Sequence, residues 1–419
     1  MQRSLTQGPI TRNMLLFALP LMCGNLLQQM YNIADTWVVG RFLGADALAA
    51  VGSSYTLMTF LTSIVLGLCM GSGAAISMQY GGGEEARMRQ SVFQSFALIA
   101  EIRPLMKQYL VMIFGGIFAT FLYNYFANLL RAIGNSMVPL VFLAVSSILN
   151  VVLDLVCVLV LHWGVQGAAI ATVFSQFVSG GGIGLYTLKQ FPELCPRRED
   201  CKWDKHNLGT ILNLSVMTSV QQSIMNFGIL MVQGLVNSFG TVIMAAFAAA
   251  VKIDSFAHMP VQDFGNAFST YVAQNYGANQ PERIRKGIRS AAATSAVFCI
   301  CISVLVCLFA APLIQIFMDP SQTGIVAAGV HYLHIEGACY LGIGMLFLLY
   351  GYYRAVNQPG MSVILTIASL GTRVALAYLL SATPLGVTGI WLSVPIGWAL
   401  ADAIGIGYYF KNKKTKAAA

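Results

Sequence analysis

Three apolar segments in the first half of the chain carry polar residues at helical spacing. Polar residues are costly in hydrocarbon, and those that occur there tend to face a cavity inside the protein. Spacings of three and four residues place each set on one helix face. The sets are Gln28, Tyr31, Asn32 and Asp35 in the first segment, Asn150 and Asp154 in the second, and Thr172 and Gln176 in the third.

The residue types in these sets favour binding of a small hard cation or relay of protons. Asp35 and Asp154 supply carboxylates, and their neighbours supply amide and hydroxyl oxygens. Hard cations take oxygen ligands of these kinds in proteins. The alternative is that the polar groups make helix-packing hydrogen bonds and that the acids face solvent near helix ends. We expect Asp35 and Asp154 to lie close together and to bind the cation.

The chain contains two copies of one unit. Tyr80-Gly81 matches Tyr276-Gly277 at an offset of 196, and Arg131-Ala132 matches Arg354-Ala355 at an offset of 223. Duplicated hydrophobic halves are typical of secondary transporters, whose substrate path lies between the repeats. We predict an N-terminal lobe at 1–190, a cytoplasmic linker at 191–207 and a C-terminal lobe at 208–419.

The two acids occur in the first copy alone. Met231 stands at the place of Asp35 at the offset of 196, and Leu376 stands at the place of Asp154 at an offset of 222. A structural need shared by both copies would be expected to leave acids in both. The asymmetry therefore favours a functional site in the N-terminal lobe.

Long apolar segments must position these residues. The chain has 57% hydrophobic and 10% charged residues, which excludes an ordinary soluble domain. Continuous apolar runs predict an all-α, polytopic membrane protein and argue against a closed barrel. Eleven spans are predicted, at 14–38, 47–77, 105–130, 138–161, 165–188, 209–236, 242–272, 288–317, 324–352, 360–381 and 386–410.

The distribution of basic residues predicts the orientation. Of 24 Lys and Arg residues, 19 lie in the termini and in alternate loops that would share one side of the membrane. Arg41, Arg103 and Lys107 lie in the opposite set. Both termini are therefore expected to be cytoplasmic, in a cell membrane. The net charge of +8 follows from this bias, so we expect the lipid bilayer and no nucleic acid as a partner.

One copy is shorter than the other. The offset rises from 196 to 223, so 27 residues of the second copy have no counterpart in the first. Two crossings between the loops near 85 and 131 would have to fit into 91–130, and one fits. We expect the first lobe to lack most of its third helix. The region 84–110 should then form a short helix, a kinked surface helix or a poorly packed segment, and the chain should be weakly active or inactive.

Enzyme chemistry finds no support in the sequence. The phosphate-binding pattern G-x-x-x-x-G-K-[ST] does not occur, and no zinc-type spacing or Ser-His-Asp arrangement is evident. We therefore expect neither catalysis nor a bound cofactor, apart from Na⁺ or H⁺ as a coupling ion.

Several stretches resemble the multidrug and toxic compound extrusion (MATE) transporters, within them the DNA-damage-inducible branch. The resemblance implies two six-helix lobes that work as an alternating-access antiporter. Na⁺ or H⁺ influx then drives export of amphipathic, often cationic drugs. The stretches are Pro20 with Asn32-Ile-Ala-Asp35-Thr36, Arg131-Ala-Ile-Gly134-Asn135 with Pro139, Asn150-Val-Val-Leu-Asp154 and Gln274-Asn275-Tyr276-Gly277-Ala278.

The resemblance also implies residue roles. Asp35, Asn150, Asp154 and Thr172 match the coupling-ion site of that branch, which is the metal site if the ion is Na⁺, and Pro20 matches the hinge of the first helix. We expect Gln28, Tyr31, Asn32 and Gln176 to bind substrate, and the chain to be a monomer. Two alternatives are a lipid-linked oligosaccharide flippase of the same superfamily and an inactive truncated membrane protein.

Overall fold

The computed structural model describes the backbone of residues 5–42, 45–101, 111–197, 200 and 204–418. Side chains are described for the same residues except 31–42, 45–62, 98–101, 111–117, 165 and 412–418. Within this part of the chain every regular element is a helix, as predicted.

The helices follow one another through short connections. In the first copy they are α1 (Ile10–Phe42), α2 (Ala45–Gly81), α3 (Glu85–Glu101), α4 (Val111–Ala132), α5 (Met137–Leu155) and α6 (Gly164–Gln190). A π-helical turn, Val156–Val160, extends α5, and a 3-10 turn, Pro192–Leu194, follows α6. In the second copy they are α7 (Lys205–Asn237), α8 (Thr241–Gly277), α9 (Pro281–Leu308), α10 (Ala310–Gln315), α11 (Thr323–Gly337), α12 (Tyr340–Ala355), α13 (Pro359–Ser381) and α14 (Val387–Ala418).

Helix bounds reproduce the sequence repeat. Helices α2 and α8 each contain 37 residues, and both their first and last residues differ by the predicted offset of 196. Helices α1 and α7 each contain 33 residues. The last residues of α4 and α12 differ by 223, which is the second predicted offset. The duplication is therefore a duplication of structure.

Residues in the left-handed backbone region end or begin helices at equivalent places in both copies. Gly83 (φ 71°) corresponds to Asn279 (φ 52°), and Gly134 (φ 84°) corresponds to Asn357 (φ 59°). Glycine and asparagine are the residues that adopt this conformation most readily after a helix. The repeat therefore preserves the turn geometry. At both turns the first copy has glycine and the second copy has asparagine.

The membrane spans agree with the prediction in most places. Among the described residues, eight helices are long and apolar enough to cross a bilayer, and the α11–α12 pair would add a ninth. That pair bends by 51°, so the single helix predicted at 324–352 is wrong. The span predicted at 288–317 also ends early, because α9 stops at Leu308 and α10 is a separate short helix.

The chain divides into two compact units. The first contains Met1–Ser219 and Thr270–Ile284, and the second contains Val220–Ser269 and Arg285–Ala419. The first unit thus holds the beginning of α7 and the end of α8 together with the whole first copy. Its boundaries differ from the lobe boundaries derived from the repeat, which remain a prediction.

Within the first unit, the ends of α2 and α8 cross at glycine residues. A Cβ atom on Gly81 would collide with the backbone of Gln274, and one on Gly277 would collide with the carbonyl of Met78. Both glycines belong to the Tyr-Gly pairs that first revealed the repeat. Two repeat-related helix ends therefore pack backbone against backbone, which only residues without a side chain permit.

Helix α3 is the short element that the repeat predicted. Its 17 residues span about 25 Å, less than the ~30 Å of a hydrocarbon core, whereas the equivalent α9 contains 28 residues. Met88, Ser91 and Val92 are buried on its inner face. The described part is therefore a short helix, the first of the three forms predicted for this region. It is not a poorly packed segment, because its inner face is buried. Residues 102–110 lie outside the described residues.

Polar contacts to the linker and to α7 hold α3 in place. Ser91 Oγ and Asn207 Oδ1 lie 3.1 Å apart, and Asn207 Nδ2 donates to Gln94 Oε1 at 3.2 Å. Arg89 Nε donates to Asp200 Oδ2 at 2.9 Å, and their side chains are 11% and 10% exposed. Burial would raise the pKa of Asp200, but the backbone N–H of Arg197 and the Arg89 guanidinium outweigh it and hold that pKa below its usual range.

We expect Gly277→Ala to destabilise the protein by about 1–3 kcal/mol, because the new methyl group meets main-chain atoms that no rotamer change can move. Thermal unfolding of the purified protein in detergent measures the effect. Gly209→Ala is the matched control, since no atom lies within 4 Å of the added Cβ in α7. Equal unfolding temperatures for the two variants would contradict the crossing.

We expect Arg89→Gln to reduce the free energy of unfolding by on the order of 1–3 kcal/mol, because Asp200 loses its charged partner in a mostly buried site. Arg87→Gln should change it by at most about 1 kcal/mol, since the Arg87–Glu84 pair is half exposed. The Asp200 contribution is present above about pH 4 and is lost as the pH falls through the lowered pKa of the folded state. Urea unfolding of both variants and the parent protein at pH 7 and pH 3.5 measures these free energies. If the loss of stability in Arg89→Gln were the same at both pH values, the assigned contribution of the Asp200 carboxylate would be contradicted.

Candidate functional site

A polar pocket lies within the first copy, between α1, α4, α5 and α6. Four of the predicted site residues line it, one from α1, one from α5 and two from α6. None of its described lining residues is charged. The lining consists of Gln28, Thr120, Tyr123, Asn124, Leu143, Ser146, Ser147, Asn150, Thr172, Ser175, Gln176 and Ser179.

Asn150 and Thr172 connect α5 to α6 in this pocket. Asn150 is 2% exposed, and its Nδ2 donates to Thr172 Oγ1 at 3.3 Å. Thr172 in turn donates to the Ala168 carbonyl at 3.0 Å, one turn earlier on α6. Asn150 Oδ1 is buried and accepts no hydrogen bond from the described residues. The amide thus keeps a free acceptor oxygen, which suits a cation or a proton donor.

Helix α4 contributes a wall that the sequence analysis missed. Thr120 Oγ1 donates to Gln176 Oε1 at 2.9 Å, so Gln176 is fixed from the α4 side. Asn124 donates to the Thr120 carbonyl at 2.8 Å, and Asn128 donates to the Asn124 carbonyl at the same distance. Thr120, Asn124 and Asn128 stand four residues apart, which is the signal that identified the other polar faces. Helix α4 contains no acid, and its one charged residue, Arg131, lies in its last turn.

Close packing of α6 on α4 brings that wall near the pocket. A Cβ atom on Gly180 would lie 3.0 Å from the Ala119 carbonyl oxygen, and one on Gly184 would lie 2.9 Å from the Phe126 ring. Small residues let helix backbones approach in lipid. The glycine run of α6 therefore serves packing, and it brings Gln176 within reach of Thr120.

The other predicted site residues are placed as follows. Asp154 is fully buried on α5, one turn beyond Asn150. Pro20 is buried inside α1, which continues through it. The side chains of Tyr31, Asn32 and Asp35 lie outside the described residues, so the expected proximity of Asp35 to Asp154 stays a prediction.

The geometry supports weak, reversible binding of a small polar species. Amide and hydroxyl groups from four helices line one space. Among the described residues, no cluster of three or more His, Cys, Asp or Glu side chains has the arrangement of a metal centre. A transition-metal site is therefore not what these residues build, whereas neutral oxygen ligands near one buried acid are suited to an alkali cation or a proton.

The second copy fills two of the equivalent positions with apolar side chains, whereas Thr372 stands at the place of Asn150 at an offset of 222. At the offset of 222, Val394 corresponds to Thr172, and Trp398 corresponds to Gln176. Val394 is 1% exposed and Trp398 is 6% exposed, and both belong to the core of the second unit. The polar residues of these two α6 positions thus occur in the first copy, as the two acids do.

The second unit contains its own buried acids away from the pocket. Tyr332 donates to Glu336 Oε2 at 2.9 Å, and both residues are 1% exposed. Asp254 Oδ2 lies 3.7 Å from His258 Nε2, and the Lys252 ammonium lies 5.8 Å from the centre of the Phe317 ring. The described contacts therefore join Asp254 to His258, and Lys252 contacts an aromatic ring.

Similarity to known proteins agrees with this architecture. The MatE family profile matches residues 20–102, 99–156 and 215–379, which together exceed half of the chain. The chain is 29% identical over 432 residues to the probable multidrug resistance protein YpnP of Bacillus subtilis, covering 96% of each chain. It is 24% identical to the probable multidrug resistance protein NorM of Thermotoga maritima, covering 98% of this chain and 94% of the relative.

Solved structures share the fold over nearly the whole length. The crystal structure of MATE in complex with MaL6 superposes with a TM-score of 0.90 at 22% identity and covers 99% of each chain. An outward-facing MATE family transporter superposes with a TM-score of 0.89 at 21% identity. With the repeated helices, the apolar spans and the profile match, these likenesses show that the chain belongs to the MatE family, whose members are multi-pass membrane transporters and not enzymes.

Proposed function

We propose that this protein is a cation-coupled antiporter that exports amphipathic, often cationic drugs and toxic organic compounds by alternating access. The observation that carries the proposal is the polar pocket of the first copy, which Asn150, Thr172 and Gln176 line. Asp154 is not among the lining residues and is buried on α5, one helical turn after Asn150. The curated relatives named above are described as probable multidrug resistance proteins, which supports drug export.

Coupling is assigned to the first copy. Asp35, Asn150, Asp154 and Thr172 bind the ion, which is Na⁺ or H⁺, while Gln28, Tyr31, Asn32 and Gln176 contact the substrate. Asn150 supports the ion role because its buried Oδ1 accepts no bond from the described residues. Gln176 supports the substrate role because Thr120 fixes its carbonyl and leaves its amide N–H₂ for another partner. Pro20 breaks one backbone hydrogen bond of α1 and serves as the hinge.

The remaining assignments follow from the charge pattern and the repeat. We place the protein in the cell membrane as a monomer with both termini cytoplasmic, because 19 of the 24 basic residues fall on that side. The functional lobes are 1–190 and 208–419, joined by the linker 191–207. No cofactor is required besides the coupling ion.

Drug export is favoured over the flippase alternative by the chemistry of the pocket. A flippase for anionic lipid-linked oligosaccharides would be expected to present arginine and lysine to its substrate. The described lining of the pocket contains neither. A neutral polar lining next to a buried acid suits a cation that enters and leaves in each cycle.

The shortened third helix bears on how well the protein works. The MatE profile match breaks at 99–102, where the repeat places the missing 27 residues. The alignment with YpnP is longer than the 419 residues of this chain, so that relative has residues without a partner here. We infer a deletion in α3 and a weakly active exporter. Helix α3 remains bonded to Asp200 of the linker and to Asn207 of α7, but its 17 residues span about 25 Å.

We expect Asp154→Asn to abolish gradient-driven export while leaving expression unchanged, because the amide lacks both the negative charge that attracts Na⁺ and the carboxylate that takes up a proton. Fluorescent-dye export from proteoliposomes under an imposed Na⁺ or pH gradient is the measurement. Asp319→Asn is the control, since it makes the same chemical change at an exposed loop. Export by the Asp154→Asn variant at the rate of the control would contradict the assignment of Asp154 to the coupling-ion site.

Restoring the third helix should raise activity. We expect insertion after Glu101 of the 27-residue sequence of positions 298–324 from the second copy to increase the dye-export rate several-fold, because the helix then spans the bilayer. Glycine–serine insertion of equal length at the same place controls for the added chain. Equal, robust export by the unmodified chain and the restored chain would show that the gap has no functional consequence.

A further inference from the structure

The segment before the first helix is held by residues from the other copy. This strap, Leu5–Gly8, contains a leucine that is fully buried. Leu5 N donates to Gln274 Oε1 at 3.2 Å, and Asn275 Nδ2 donates to the Leu5 carbonyl at 3.1 Å. About 270 residues separate these partners in sequence, so the strap is tied to the end of α8. It is also bonded to its own helix, because Asn13 Nδ2 donates to the Gln7 carbonyl at 2.7 Å.

A single arginine completes the attachment. Arg283, on the first turn of α9, donates through both terminal nitrogens to the Gly8 carbonyl at 3.2 Å and through Nη2 to the Leu5 carbonyl at 3.4 Å. Its Nε donates to Asn275 Oδ1 at 3.2 Å. Gly8 has φ +76°, a left-handed conformation in which glycine alone is unstrained. The strap conformation therefore depends on Gly8, and its attachment depends on Arg283.

The same residues also hold repeat-related helix ends together. Gln274 Nε2 donates to the Ala132 carbonyl at the end of α4 at 2.6 Å, while its Oε1 accepts from the strap. Gln274 is also the residue against which Gly81 of α2 packs. One glutamine thus joins the strap, the end of α4 and the crossing of α2 with α8. All of these contacts lie inside the first compact unit.

We propose that the strap is a latch that keeps the cytoplasmic ends of the two copies closed and must release Arg283 before they separate. This inference rests on the alternating access of the proposed function. Its physical basis is that the strap leads directly into α1, yet the hydrogen bonds of Leu5 and Gly8 go to side chains of the second copy. Movement of that copy away from α2 and α4 must break or carry along every one of these bonds. The bonds to Arg283 involve a full charge and are the strongest of the set.

The test uses a buried reporter on α7, where that helix of the second copy packs against α2 of the first. Ser215 is fully buried, and its hydroxyl lies 2.9 Å from that of Ser72 where α7 meets α2. A Ser215→Cys reporter is reacted with a membrane-impermeant maleimide in inside-out vesicles, and the protein without the reporter gives the background of its nine cysteines. Ser393→Cys, fully buried in the second unit, reports general unfolding.

We expect Arg283→Gln to raise the Ser215→Cys labelling rate about tenfold or more, because a lost charge-assisted bond shifts the closed state by at least that factor. Gly8→Ala, which strains the strap without touching α8 or α9, should raise the same rate. Arg285→Gln, an exposed arginine on the same turn of α9, should leave it unchanged. Labelling of Ser393→Cys should stay at its parent level in every variant.

Each remaining outcome has a defined meaning. Labelling of the Ser215 reporter at the parent rate in both Arg283→Gln and Gly8→Ala overturns the latch. A rise at the Ser215 and Ser393 reporters together also overturns it, because the residues then serve general stability. Dye export is measured separately. A parent chain that exports nothing under either gradient refutes the proposed function, while a selective rise at Ser215 still supports a releasable latch.

Discussion

A polar group inside hydrocarbon must find its partner within the protein, and this constraint organises the structure. Hydroxyls along the helices meet it locally, as Ser147 and Thr172 do by donating to the carbonyl four residues earlier. Other polar side chains form hydrogen bonds to a neighbouring helix, and these interhelical bonds join the elements. Asn150 bonds α5 to α6, Thr120 bonds α4 to α6, and Asn207 bonds the start of α7 to α3. The pocket lies where several of these bonds meet, and the buried Oδ1 of Asn150 in its lining accepts no hydrogen bond from the described residues.

The two copies show how one scaffold carries two kinds of interior. Their helices begin and end at equivalent residues, and left-handed turns such as Gly83 and Asn279 recur at the same offset. The side chains nevertheless diverge, because the scaffold fixes backbone positions and leaves interior volume to be filled in either way. Where the first copy places Gln176 beside a pocket, the second packs Trp398 into a core. The backbone symmetry therefore coexists with a chemical asymmetry, in which the first copy lines a polar pocket at positions that the second copy fills with Val394 and Trp398.

Sequence patterns predicted most of the fold, because apolar runs, charge bias and repeat offsets are summed over many residues. The bend between α11 and α12 was missed, since it involves few residues and no proline. The described half of the candidate site was predicted where polar residues stand four apart in an apolar segment, as Asn150 with Asp154 and Thr172 with Gln176 do. The α4 wall was missed because Thr120 and Asn124 stand beside no acid, and their role emerges only when α6 packs on them. Contacts between distant segments, such as Leu5 with Gln274, leave no local pattern to read.

The hydrogen bonds that join α3 to the linker and to α7 have a consequence for biogenesis of the protein. The polar inner face of α3 is bonded to residues 110 to 116 positions later, among them Asp204 and Asn207. A ribosome completes α3, α4, α5 and α6 before those partners exist, so α3 leaves the ribosome with its polar groups unmatched and too few apolar residues to enter the membrane firmly on its own. Helix α3 can pack on α4 early, through Ser95 and Tyr125. Its polar attachment to the linker and to α7 is a late step of biogenesis, because it follows synthesis of the start of α7.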